Sequence, residues 1–140
     1  MFITTRVRYG IRGLIEIGTN STPVLLKHIS ERQNLSLKYL DHILNDLRNK
    51  GFIIRTRAKK GGYILAKNPK DITLYDIIGA LEGISKIECL QDSGLCPRVK
   101  ICGARVVWSR LDDKISSVLK GITLEDFIKE QRKLDRQRKA

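Results

Sequence analysis

No stretch of the chain is apolar for long enough to cross a bilayer, and the amino terminus has no hydrophobic segment of the kind that directs export. Both absences predict a cytoplasmic protein with no membrane partner. Histidine is scarce, two in 140 residues, and no side chains are spaced as a nucleophile with its base. A glycine-rich loop that could cradle phosphate is also missing, so an enzyme is not expected. Cysteine occurs three times. An odd count in a reducing compartment argues against a disulfide framework and for thiol ligands or redox groups. Acidic residues are outnumbered, 15 against 27 Lys and Arg, for a formal charge of +12. That excess favours polyanions, nucleic acid ahead of acidic membrane. There is no internal repeat and no low-complexity segment.

What the chain does contain is organised around residues 29–63. Ile29-Ser30-Glu31-Arg32-Gln33 is followed by a polar break at Asn34 and by a periodic run over 37–50. In that run Leu40, Ile43, Leu44 and Leu47 recur at the spacing of a helix with one buried face. Ser36 is a natural cap before it, and Gly51 suits the position after its last turn. The opposite face carries Lys38, Tyr39, Asp41, His42, Asn45, Arg48 and Asn49, side chains able to contact base edges and phosphates. Two short apolar runs, 52–57 and 63–66, are joined by the basic Ala58-Lys59-Lys60-Gly61-Gly62. Helix, turn, helix and two strands in this order predict a winged helix-turn-helix. Its second helix enters a DNA major groove, and its wing reaches the backbone or the adjacent minor groove. Arg55, Arg57, Lys59 and Lys60 crowd the wing.

Elsewhere, Thr4-Thr5 opens a helix with a stripe of Val7, Ile11, Leu14, Ile15 and Gly18, leaving Arg6, Arg8 and Arg12 to present cations. Residues 24–33 form the first helix of the helix-turn-helix, with Leu25, Leu26 and Ile29 inward. Thr73 caps a helix bearing Leu74, Ile77, Ile78 and Leu81, which ends near Gly83. Over 84–103 no period holds. Regularity returns in a long helix with Val107, Leu111, Ile115, Val118 and Leu119, widened by Val106 and Trp108. That band exceeds what one small winged domain can cover, so pairing with a second copy is expected. Thr123 starts a last helix with Leu124, Phe127 and Ile128, and the charged 129–140 is expected to fray. The expected fold is mainly α with a small β-wing. A winged helix-turn-helix domain spans 1–82, a cysteine loop 83–103, dimerisation and C-terminal helices 104–128, and a frayed tail 129–140.

Cys89, Cys96 and Cys102 are separated by six and then five residues. This is too wide for the knuckle of most structural zinc sites. Wider spacing on a Gly- and Pro-containing loop can wrap three thiolates around something larger, such as an iron–sulfur cluster, and Arg98 and Lys100 would favour thiolate. The plainer reading is three reduced cysteines in a surface loop.

Thr4-Thr5-Arg6-Val7-Arg8-Tyr9-Gly10, Ile29-Ser30-Glu31-Arg32-Gln33, residues 36–40, Arg57 with Gly61-Gly62-Tyr63, the three cysteines with Trp108, and Ile122-Thr123-Leu124 together resemble the IscR-type family of bacterial winged-helix regulators. The resemblance runs from Thr4 to about Phe127. It implies a homodimeric transcription regulator that senses cluster status, oxidative or nitrosative stress, or amino-acid supply, often through an iron–sulfur cluster on three cysteines. By the resemblance Cys89, Cys96 and Cys102 fall on the cluster ligands, with two-iron and four-iron types both open. Ser36, Tyr39, Asp41 and Arg57 fall on DNA-contacting positions, and Lys38 occupies another with a different side chain. Thr5, Arg8, Arg48, Lys59 and Lys60 complete the expected contacts with double-stranded DNA. Two departures leave the fourth cluster ligand unassigned. Arg105 stands where several relatives have a histidine, and Arg8 stands where others have a carboxylate. Glu88, Asp92, His28 and His42 are the remaining candidates. The alternative is a cysteine-containing regulator or interaction module that uses zinc or redox thiols with no cluster.

Overall fold

The computed structural model describes residues 3–57, 61–84, 87–92 and 94–139. Helix α1 (Thr5–Thr19) is capped by Thr4, whose Oγ1 accepts from Val7 N at 3.2 Å. Its buried stripe is Val7, Ile11, Leu14 and Ile17. Ile15, expected in that stripe, is only partly buried, and Ile17 takes the inner position. Gly18 faces inward as expected, since a β-carbon there would stand 2.5 Å from Ile128 Cδ1.

Helix α2 (Leu26–Gln33) begins two residues later than the sequence implied. Val24 is instead drawn into an antiparallel bridge with Tyr63. Val24 N donates to Tyr63 O at 3.0 Å and Tyr63 N to Val24 O at 2.8 Å. The turn out of α2 is closed at Asn34, which adopts φ 52, while Leu35 N donates to Ser30 O and Ser30 Oγ to Leu35 O. Asparagine tolerates this left-handed conformation better than most residues.

Helix α3 (Leu37–Asn49) ends in a Schellman motif. Phe52 N donates to Leu47 O and Gly51 N to Arg48 O, with Gly51 at φ 84. That reversal sends the chain directly into β1 (Ile53–Arg55), which pairs antiparallel with β2 (Tyr63–Leu65) in the register Ile53↔Leu65 and Arg55↔Tyr63. At the base of the wing Gly62 has φ 117, and a β-carbon there would meet Pro23 Cβ at 2.9 Å. The predicted wing cations Lys59 and Lys60 lie outside the described residues.

After a short 3-10 turn (Pro69–Asp71), α4 (Leu74–Leu81) starts with a reciprocal capping box between Thr73 and Asp76. A brief helix α5 (Glu88–Gln91) precedes α6 (Gly103–Lys120), and α7 (Leu124–Lys139) closes the chain. The root of α7 is bound to α4: Leu74 N donates to Ile122 O and Leu124 N to Ile72 O, each at 2.8 Å. Leu124 and Ile128 thereby join the same core as α1 and α3. Among the described residues no helix is long and apolar enough to cross a membrane.

The tail departs from expectation. Residues 129–139 continue α7 as regular helix rather than fraying. Its acidic first turn and basic last turn suit the helix dipole. Surface pairs Lys129–Glu125, Lys133–Glu130 and Arg138–Asp135 add helical spacing contacts of about 0.3–0.5 kcal/mol each.

Thr123 N donates to Asp126 Oδ2 at 2.8 Å, and Thr123 Oγ1 lies 3.2 Å from the same oxygen. That backbone hydrogen bond above all, aided by the Thr123 hydroxyl and Lys129, holds the Asp126 carboxyl below its ordinary value of 3.8. A depressed carboxylate pKa contributes stability above the ordinary value, and the contribution disappears as pH falls through the folded value. In an acid titration followed by NMR, the Thr123 amide should therefore shift only below the usual carboxylate range. A transition at or above that range would remove the cap from α7.

Candidate DNA-reading surface and cysteine segment

Helix α3 is divided cleanly. Leu40, Ile43, Leu44 and Leu47 are fully buried, whereas Ser36, Lys38, Tyr39, His42, Arg48 and Asn49 are exposed and Asp41 and Asn45 half-buried. The period of 3.6 residues places Lys38, His42, Asn45 and Asn49 along one outer ridge. Ser36 caps the helix, its Oγ accepting from Tyr39 N at 3.4 Å. Its other lone pair and the first-turn N–H groups face outward at the end where an anion is favoured.

Tyr39 is oriented from the side. Its ring meets Tyr9 edge to face, with centroids 5.9 Å apart. Arg12 lies over Tyr9 at 5.3 Å and donates from Nε to Gln33 Oε1 at 2.8 Å, and from its other arm to the Gln33 carbonyl. Gln33 Nε2 donates to Glu16 at 2.7 Å. These contacts tie α1 to the turn between α2 and α3.

Two arginines expected to present free charge are therefore structural. Arg12 is committed to Gln33 and Tyr9. Arg6 pairs with Asp46 of α3 and donates to Leu81 O at 3.2 Å, bracing α1 against α3 and α4. Both braces join residues far apart in sequence, and only the identity of the residues, not their pairing, was available beforehand. By contrast Thr5 and Arg8 are exposed at the start of α1, with Arg8 donating to Thr5 Oγ1 at 3.1 Å. On the wing Arg55 and Arg57 are exposed.

The cysteines occupy three settings: Cys89 on α5, Cys96 in the following loop and Cys102 at the N-cap of α6. All are free and half-buried. Arg105 Nε donates to Cys89 O at 3.2 Å, so the residue standing in place of a histidine holds α5 to α6 instead. Asp92 accepts from Gly94 N at 2.8 Å within its own turn. Among the described residues no three Cys, His, Asp or Glu side chains converge as a metal-binding group. Thiolate is the right donor type for an iron–sulfur cluster, but the three thiols are not gathered in this conformation, and neither Glu88, Asp92, His28 nor His42 joins them in a ligand set.

Helix α6 buries no residue, and Val106, Val107, Trp108, Leu111 and Val118 are 43–63% exposed. This is the wide apolar band that the sequence presented.

The arrangement agrees with what the chain is similar to. The Rrf2 family model, described as an iron-dependent transcriptional regulator, matches residues 3–130. Protein rrf2 of Nitratidesulfovibrio vulgaris is 36% identical over 133 residues, covering 93% of this chain and 89% of that protein. The HTH-type transcriptional regulator IscR of Escherichia coli is 33% identical over 138 residues, 96% of this chain and 85% of the relative. Among solved structures, CymR, the global cysteine regulator of Bacillus subtilis, superposes with a TM-score of 0.73 at 38% identity, covering 91% of this chain and 96% of that one. The winged-helix fold and the resemblance to IscR-type regulators are thus borne out, and the chain belongs to the Rrf2 family of transcriptional regulators rather than to any class of enzyme.

Proposed function

We propose that the protein is a cytoplasmic, homodimeric, sequence-specific DNA-binding regulator whose affinity for its operator responds to the state of Cys89, Cys96 and Cys102. The observation that carries the reading is the two-sided α3. Its inner face is fully buried, and its outer face offers Ser36, Lys38, Tyr39, Asp41 and Arg48. Thr5, Arg8, Arg57, Lys59 and Lys60 add cations and a hydroxyl for the phosphates on either side. A second copy docked on the apolar band of α6 would supply the second recognition helix that a two-fold operator needs.

The signal belongs to iron–sulfur, redox or nitrosative chemistry at the three thiols. Because the thiols do not converge in this conformation, no step is assigned to a cluster here. The same observation favours a second reading, in which the cysteines act as redox thiols with no cluster. Partly exposed thiols on a segment that joins the winged domain to α6 can bias the placement of the two winged domains when they are oxidised or liganded.

Anaerobic purification, with iron, zinc and acid-labile sulfide measured beside the visible spectrum, separates these readings. A brown protein that bleaches on changing any one of the three cysteines to Ala establishes the cluster. A colourless, metal-free protein whose operator affinity changes with thiol oxidation establishes the redox reading. Operator affinity that ignores both metal and oxidation removes the cysteines from the function.

A further inference from the structure

A cavity of about 270 Å³ lies between the end of α4, the residues that follow it and one face of α6. Its wall is apolar, with Ile78, Ile84 and Ile87 on one side and Leu111, Ile115 and Leu119 on the other. Two carboxylates, Glu82 and Asp112, line it, and no cation does among the described residues. In a chain with a formal charge of +12, this is a local reversal of sign.

The two acids are not equivalent. Glu82 is already engaged, accepting from Thr4 Oγ1 at 3.0 Å with Arg6 Nε 3.9 Å away. Asp112 is half-buried and has no hydrogen-bond or ion-pair partner among the described residues. A carboxylate partly withdrawn from water without a partner is costly, and a bound cation relieves that cost. Water fills such a space poorly, because each molecule needs two to four polar partners and the isoleucine and leucine walls provide none. Largely apolar walls with a few converging polar groups are instead the general form of a small-molecule site.

The site is separable from the apolar band. At 100° per residue, Val107 and Val118 point roughly a quarter-turn away from Asp112, Ile115 and Leu119, with Leu111 at the border. A second copy seated on Val107 and Val118 would leave the cavity in place.

We propose that this cavity binds a small primary amine with an apolar chain, its ammonium on Asp112 and its chain along Ile84, Ile115 and Leu119. The assignment stands independently of DNA binding. Only its consequence for operator affinity rests on the function proposed above: the occupant would touch α4, α6 and the strand of chain leading to Cys89.

Hexylamine, with hexanol and hexanoate as neutral and anionic partners of equal length, tests the assignment on the full chain. Binding is read by thermal shift and by the fluorescence of Trp108, the sole tryptophan. Hexylamine should bind saturably, at least tenfold more tightly than hexanol or hexanoate. Asp112→Asn should weaken it at least tenfold while leaving hexanol unchanged, and Ile115→Trp should exclude all three by filling the space. Equal binding of the three probes, absence of saturation with the amine, or wild-type amine affinity in a folded Asp112→Asn protein would overturn the assignment. Duplex binding measured on the same preparations keeps the two conclusions apart, because its loss in the wild-type protein would overturn the DNA reading and leave the amine result standing.

Discussion

Truncating Leu44 to Ala is expected to lower the unfolding free energy by about 2–5 kcal/mol, the range for emptying a fully buried leucine site. Leu44 is fully buried, and its Cδ2 lies 3.2 Å from where a β-carbon on Gly13 would stand. The backbone of α1 therefore lies close against this side chain, held there by Gly10 and Gly13, and cannot readily slide in to fill a vacated volume. A small domain is stable by only about 5–15 kcal/mol in total, so the loss is a large share. Urea unfolding should show a lower midpoint at unchanged slope, the signature of lost stability rather than a changed denatured state. The folded fraction should retain its affinity for DNA, because Leu44 faces away from the outer ridge of α3. A loss below about 1 kcal/mol would place the centre of the core elsewhere than the α1–α3 contact.

Replacing Arg57 with Ala should have the opposite profile. Arg57 is exposed on the wing, so melting should not change. Operator affinity should fall by about 1–3 kcal/mol if the guanidinium reads a base edge, which is roughly 5- to 150-fold. The salt dependence distinguishes the kind of contact. A phosphate contact contributes a slope of about −0.9 per neutralised phosphate, so its removal would flatten the plot and weaken specific and non-specific binding alike. A base contact would leave the slope nearly unchanged and concentrate the loss on the operator. Wild-type affinity for a mapped operator in this variant would take the wing out of the interface.

The two variants probe the parts of the molecule that were most and least legible from residue order. Helix α3 was legible because everything that defines it is local: a 3.6-residue apolar period, a serine able to cap, and a glycine able to take the positive φ that ends it. The capping box at Thr73 and the wing glycines belong to the same class. Long-range pairings were not legible. Arg6 looks like any surface cation until the fold brings Asp46 beside it, 40 residues away, and Arg12 until Gln33 arrives. Val24 has helical neighbours, yet a bridge to Tyr63 draws it into the base of the wing. The α7 tail shows the reverse error: with almost no apolar stripe it reads as frayed, but packing of its first turns against α1 and α4 nucleates a helix that charge pairs then extend.

Residue order was sufficient for the winged-helix plan, the two-sided recognition helix and the unburied band of α6, since each follows from periodicity and from single residues with restricted backbone preferences. Which arginines remain free, whether three thiols meet, and where a carboxylate is left unpaired against apolar walls all depended on the folded molecule. Those properties are relations between segments distant along the chain, and spacing carries no information about the angles at which helices cross.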